Sequence, residues 1–126
     1  MGHGEQIVLA DAHFPSHSTG RPVLRADGIA IPILLDAILQ LLPLDTYADA
    51  PVLMMAPVSG DTPDPEVRTS YETLIGKHET NFTLEIQELE RFAFYDQAAR
   101  AHAVVATGDT RKYANLILTK GVTPVA

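Results

Sequence analysis

The alternation of apolar and polar positions divides the chain into short segments of two kinds. Gln6 to Ala10 is an apolar run with β-branched Ile7 and Val8, bounded by glycines before it and by Pro15 after it, which predicts a buried strand. Ser16-His17-Ser18-Thr19-Gly20-Arg21-Pro22 gathers turn formers and predicts a loop, and Val23 to Arg25 reads as a short strand closed by Asp27-Gly28. From Pro32 the period changes. Ile31, Leu34, Leu35, Ile38, Leu41 and Leu42 recur at helical spacing with Asp36 and Gln40 opposite, and Pro43 ends that helix. Pro51 to Pro57 encloses Val52-Leu53-Met54-Met55-Ala56, a continuous apolar run that suits a strand covered on both faces, with the methionines as core filling.

The second half continues the alternation. Asp64 as N-cap and Pro65 at the first helical position open a helix carrying Val67, Tyr71, Leu74 and Ile75, with Gly76 as its stop. Phe82, Leu84 and Ile86 alternate with Thr83, Glu85 and Gln87, the pattern of a strand with one wet face. Arg91 to about Ala101 predicts an Ala-rich helix, Ala103 to Ala106 a strand, Gly108-Asp109 a turn, and Leu116 to Leu118 a last strand. Strands alternating with helices imply an α/β layered fold, and the length of 126 residues implies one domain over residues 1–126.

Composition narrows the function. Hydrophobic residues make up 46% of the chain, enough for a core, and no apolar run reaches the roughly 18 residues a bilayer span needs. The net charge of −7, with Lys and Arg scattered, argues against nucleic acid or an anionic membrane as partner. Without cysteine there is no disulfide, thiolate nucleophile or Cys-ligated metal, which fits a cytoplasmic protein. Met1-Gly2-His3-Gly4-Glu5 is no secretory signal, and Gln6 stands where a myristoylation signal has Ser or Thr.

Polar chemistry brackets the first strand. His3 precedes it, Asp11 closes it, and His13 and His17 follow. At about 3.3 Å per residue, an extended segment separates His3 from Asp11 by roughly 25 Å, too far to share one small substrate. Either the glycines fold His3 back, or His3 meets the Asp11 of another subunit. The four residues have metal-ligand types, but their spacing matches no established zinc pattern. A Cu(II) site at Met1-Gly2-His3 is lost if the initiator Met is removed. Gly2-His3-Gly4 precedes a strand, whereas phosphate-cradling glycines follow one, so nucleotide binding is disfavoured. Taken singly, His3 reads as a solvated terminal residue, Asp11 as a strand-end turn residue, Arg91 as an exposed residue with its stem on the core, and Tyr113 as a half-buried surface aromatic.

Several blocks taken together reverse those readings. GHGEQIVLADAHFP, HFPSHS, VLRADG, DPEV, RFAFY and TGDTRKYANLILTKGVTP, in this order and spacing, resemble the ribose pyranase and L-fucose mutarotase family (RbsD/FucU) from Gly2 to about Pro124. The resemblance implies a mixed sheet flanked by helices and an isomerase that interconverts sugar anomers without a cofactor. It implies His3 as proton donor, with Asp11, Arg91 and the segment Tyr113-Ala114-Asn115 binding the sugar. Arginine at position 91 points to the L-fucose branch rather than to a ribose pyranase. The resemblance further implies a homo-oligomeric ring, commonly a decamer, with sites at subunit boundaries. Family members carry a helical segment before the GHG motif, which here stands at the start of the chain; its absence leaves His3 on a terminus prone to fraying and suggests a misassigned start codon, the favoured reading, or else a shortened member of the family. Anomer exchange passes through the open-chain sugar, which requires acid and base work that a histidine performs at neutral pH. The alternative reading is a non-catalytic relative that binds a monosaccharide; a further one is a metal-dependent isomerase or lyase.

Overall fold

The structure is a computed structural model that describes residues 1–79 and 85–123. Among these, the strands are β1 (Gln6–Ala10), β2 (Val23–Ala26), β3 (Val52–Met55), β4 (Gln87–Leu89), β5 (Ala103–Thr107) and β6 (Leu116–Thr119). The helices are α1 (Ile31–Leu39), α2 (Pro65–His78) and α3 (Arg91–Ala98), and a single 3-10 turn occupies Ser16–Thr19, inside the stretch expected to be loop. The strands form one mixed sheet in the order β2-β5-β1-β6-β3-β4. β1 runs parallel to β5, and β5 to β2; β6 is antiparallel to both β1 and β3; β4 is parallel to β3.

The period-2 alternation of a strand explains why the central strands are apolar throughout: each feeds two cores. Leu9, Val52, Met54, Val105, Leu116 and Leu118 point to a core completed by Ile31 and Leu35 of α1 and Val67, Tyr71 and Ile75 of α2. Val8, Ala10, Leu53, Met55, Val104 and Ile117 point the other way, onto Phe94 and Ala98 of α3 and onto Phe14. The molecule is thus layered, with α1 and α2 on one face of the sheet and α3 on the other.

Two expectations change, and a third lies outside what the structure describes. α1 leaves α geometry after Leu39: Gln40 N–H bonds the Ala37 carbonyl and Leu41 N–H that of Ile38, a tightened last turn that swings Leu41 outward to 88% exposure. Gly76 does not stop α2, which runs on to His78 because Leu74 and Ile75 are held by the core and Glu79 N–H still reaches the Ile75 carbonyl. The strand expected around Phe82 and Leu84 falls outside the described residues; Ile86 is buried, and β4 lies just after it. Asp64 does cap α2, its carboxylate accepting from Glu66 N–H at 2.9 Å, with Pro65 following.

Candidate functional site

The topology gathers polar residues at one end of the sheet. β1, β3 and β4 all point their C-terminal ends there, and antiparallel β6 brings its N-terminal end to the same rim. Asp11 follows β1, Val58 and Asp61 follow β3, Arg91 follows β4, and Tyr113-Ala114-Asn115 leads into β6. All of these but the buried Ala114 surround a cavity of about 400 Å³ lined also by His13, Phe14, Met55, Tyr95 and Lys112. A crevice outside strand carboxyl ends is where layered α/β sheets commonly bind small ligands.

Asp11 and Asn115 form the floor. Asp11 N–H donates to Asn115 Oδ1 at 2.7 Å, which fixes the amide orientation and turns the Asn115 NH2 toward other acceptors. The Asp11 carboxylate accepts from His13 N–H at 3.0 Å on Oδ1 and from Ala114 N–H at 3.2 Å on Oδ2. Burial pushes this carboxyl above its ordinary range, opposed by those amides. Ala114 is fully buried; besides its N–H on Asp11, its carbonyl accepts from the Tyr71 hydroxyl at 2.6 Å, so it holds the floor from behind. Burial likewise pushes the Tyr71 phenol up, which keeps it a donor.

Tyr113 forms a wall. Its backbone is left-handed at φ 57°, a region that costs a side-chain-bearing residue energy and is found disproportionately at ligand sites. Its hydroxyl donates to Asp61 Oδ2 at 2.8 Å and accepts from Val58 N–H at 3.2 Å, so both roles are taken and the ring is left as a flat apolar face. Arg91 opens α3 on the Glu90 cap, which accepts from Phe92 and Ala93 N–H; the Arg91 guanidinium lies over the Phe92 ring at 4.7 Å and stays exposed at the mouth.

The loop into β6 is held by Asp109, which a reading of the sequence places only in a turn. Its buried carboxylate takes Arg111 Nε and Nη2 at 3.0 and 2.8 Å and Ile31 N–H at 3.0 Å. Arg111 in turn lies over the Tyr71 ring. Asp61, Val58 and Lys112 are cavity residues that no pattern in the sequence singles out, since the connections from β3 to α2 and from β5 to β6 carry no periodic signal.

His3 is not among the cavity residues. The glycines do turn the chain, with Gly4 at φ 84° and Glu5 N–H on the Gly2 carbonyl at 3.2 Å, but they do not fold His3 back to Asp11. Its Nε2 instead lies 3.1 Å from Asp45 Oδ1, near Thr119 at the far end of β6, and its ring meets Tyr47 edge-on at 5.8 Å. Nor does the segment hang free: Gly4 N–H bonds the Lys120 carbonyl at 2.8 Å. His13 lines the cavity with Nε2 3.0 Å from the Thr110 carbonyl, whereas His17 sits exposed on the 3-10 turn. Among the described residues no group of three or more His, Asp or Glu side chains is set to hold a metal ion, and no helix is long and apolar enough to cross a membrane.

The sequence profile of the RbsD / FucU transport protein family matches residues 1–123. The chain belongs to this family. An L-fucose mutarotase of Haemophilus influenzae is 54% identical over 125 residues, 99% of this chain and 86% of that protein. The structure of the fucose mutarotase of Streptococcus pneumoniae in complex with L-fucose aligns with a TM-score of 0.92 at 47% identity, covering 98% of this chain and 87% of that one. The more distant Bacillus subtilis RbsD, complexed with D-ribose, aligns at 0.79 with 25% identity over 98% of this chain and 87% of its own. The six-stranded mixed sheet with helices on both faces is the RbsD/FucU fold.

Proposed function

We propose that the protein is a sugar mutarotase, an isomerase that interconverts the anomers of L-fucose or a similar aldose. The observation that carries the proposal is the cavity in which Asp11, Arg91, Tyr113 and Asn115, residues from three separate stretches of the chain, converge. The chemistry of these groups is that of monosaccharide binding. The Asp11 carboxylate and the Asn115 amide offer an acceptor and a donor to neighbouring hydroxyls, Arg91 offers a cationic fork, and the Tyr113 ring faces the apolar side of a pyranose. The identity with fucose mutarotases favours an aldose of the fucose type, while the likeness to a ribose-bound relative keeps pyranose–furanose exchange as the second reading.

The reaction requires a base to take the proton of the anomeric hydroxyl while an acid delivers one to the ring oxygen as the bond from C1 to that oxygen breaks. The open-chain aldehyde turns about C1–C2, and the same transfers in reverse close the ring on its other face. His3 is the proton donor in this proposal. Since β6 separates it from the cavity of its own chain, it serves the cavity of a neighbouring subunit, and the active form is a homo-oligomeric ring, a decamer by the family resemblance. No cofactor enters the balance.

NMR exchange between the anomeric protons of L-fucose tests the assignment. Wild type accelerates exchange; His3→Ala and Asp11→Asn chains each lose that acceleration. Co-assembled, the two variants regain it at about a quarter of the subunit boundaries, where an intact His3 meets an intact cavity. Full exchange by His3→Ala rejects His3, and a monomer by size measurement rejects the shared site. Saturable fucose binding with no exchange in wild type selects the non-catalytic reading, for which the separation of His3 from its own cavity is the structural argument.

A further inference from the structure

The end of the sheet opposite the cavity carries an arrangement of its own. Asp45 is buried at 6% exposure, yet it lies in a surface connection between α1 and β3. A buried carboxylate is costly unless it is hydrogen-bonded. Here Oδ1 accepts from Tyr47 N–H at 3.0 Å and meets His3 Nε2 at 3.1 Å. Burial pushes the Asp45 carboxyl up, but the Tyr47 amide and His3 outweigh it and hold the group below its ordinary range, so it is ionised at neutral pH and can only accept. His3 Nε2 must therefore be the donor.

Both partners are fixed to the same piece of chain. Asp45 N–H donates to the Thr119 carbonyl at 3.0 Å, Leu44 forms a bridge with Lys120, and Gly121 N–H bonds the Pro43 carbonyl at 2.7 Å. On the other side, Gly4 N–H bonds the Lys120 carbonyl and Lys120 N–H the Glu5 carbonyl at 2.9 Å. Gly121 permits this closeness: a Cβ there would lie 2.5 Å from the Leu44 carbonyl oxygen. Two segments remote in sequence are thus pinned by residues 119–121, one presenting an imidazole and the other the carboxylate that meets it. The imidazole keeps its second face open, with its side chain 46% exposed.

We propose that Asp45 is the positioning residue of His3: it fixes the imidazole with Nε2 inward and Nδ1 outward toward the sugar, and it balances the charge the ring gains when it takes up a proton. The inference rests on His3 being the proton donor. Asp45 does not itself become protonated; as in other carboxylate–imidazole pairs it orients the ring and stabilises the imidazolium. Tyr47, edge-on to the ring, limits its rotation from the other side.

The test is Asp45→Asn in the full-length protein, which keeps an acceptor for Tyr47 N–H but removes the charge. The kcat of anomer exchange falls roughly ten- to a hundredfold while KM for L-fucose stays within about twofold. Introduced into His3→Ala, which has no exchange left to lose, the same change leaves the affinity for L-fucose as it is in His3→Ala, whereas a general loosening of the fold would weaken it. An Asp45→Asn enzyme with wild-type kcat, where His3→Ala is inactive, overturns the positioning role and leaves the mutarotase assignment intact; retained activity in His3→Ala overturns both. A further loss of L-fucose affinity in the double variant shows a structural role only and overturns the inference. Should Asp45→Asn fail to fold, the ring nitrogens of wild-type His3 decide by ¹⁵N NMR. A neutral ring protonated at Nε2 with bare Nδ1 supports the inference, and the opposite tautomer or an even mixture overturns it.

Discussion

Replacing Asp109 with asparagine probes how the loop bearing Tyr113 and Asn115 is held. The buried carboxylate takes two guanidinium N–H groups of Arg111 and the backbone N–H groups of Ile31 and Arg111. Asparagine has nearly the same shape and keeps one acceptor, so the loss is chiefly the charge opposite Arg111. Breaking a fully buried pair costs about 3–5 kcal/mol, but the Arg111 side chain is 32% exposed and can turn its stranded charge to water, which leaves about 2 kcal/mol. For a chain of this size that is a Tm lower by roughly 6–10 °C. The pH dependence has a definite sign. Burial pushes the Asp109 carboxyl up, and the Arg111 guanidinium with the amides of Arg111 and Ile31 outweighs it, holding the group below its ordinary value. A carboxyl depressed in the folded state contributes stability that is complete above its unfolded pKa, about 3.9, and is lost as pH falls through the lower folded value. Urea unfolding at fixed protein concentration therefore shows the full gap between wild type and Asp109→Asn at pH 7, and the gap narrows in acid. Equal midpoints at pH 7, or a gap that persists undiminished in acid, would refute the reasoning.

Asp11→Asn behaves in the opposite sense for stability. Because burial raises the Asp11 carboxyl, its ionised form costs stability above the unfolded pKa, and the cost is complete once pH has risen through the folded one. The variant is expected to unfold at pH 7 at an equal or higher temperature while binding L-fucose at least about tenfold more weakly; calorimetric titration and thermal unfolding check both, and a lower Tm with unchanged affinity counts against the site. Gly121→Ala drives a methyl into the Leu44 carbonyl, at an expected cost of about 1–3 kcal/mol. It should slow anomer exchange more than it weakens fucose binding, since the displaced segment carries Asp45 and not the cavity; equal effects on both would contradict that.

What could be read from the chain follows from how each signal is encoded. The both-faces-buried run at Val52–Met55 and the Asp64-Pro65 helix start lie wholly in local pattern, and the structure has them where the pattern puts them. The Leu41 and Gly76 readings failed because tertiary contacts override local rules: the core carries α2 past a glycine, and the turn after Leu39 discards an apolar residue. Asp11, Arg91, Tyr113 and Asn115 are legible through the family blocks, not through spacing, since they sit on three connections that only the sheet order brings together. Asp61, Asp109 and Asp45 were missed for the same reason. Each is an acidic residue in a turn-rich stretch, and nothing local distinguishes one that faces solvent from one that receives a guanidinium or an imidazole.

Strand β6 is a ruler. With Leu116, Ile117 and Leu118 at 0% exposure and ladders on both edges, it can neither slide nor stretch without dismantling two cores. The distance between the Asn115 rim and the Thr119 rim is therefore a constant of the chain. Adaptation to a bulkier or smaller sugar has to be made in the connection that carries Val58 and Asp61, or in α3 side chains that line the cavity, such as Tyr95, and never by moving the two rims apart.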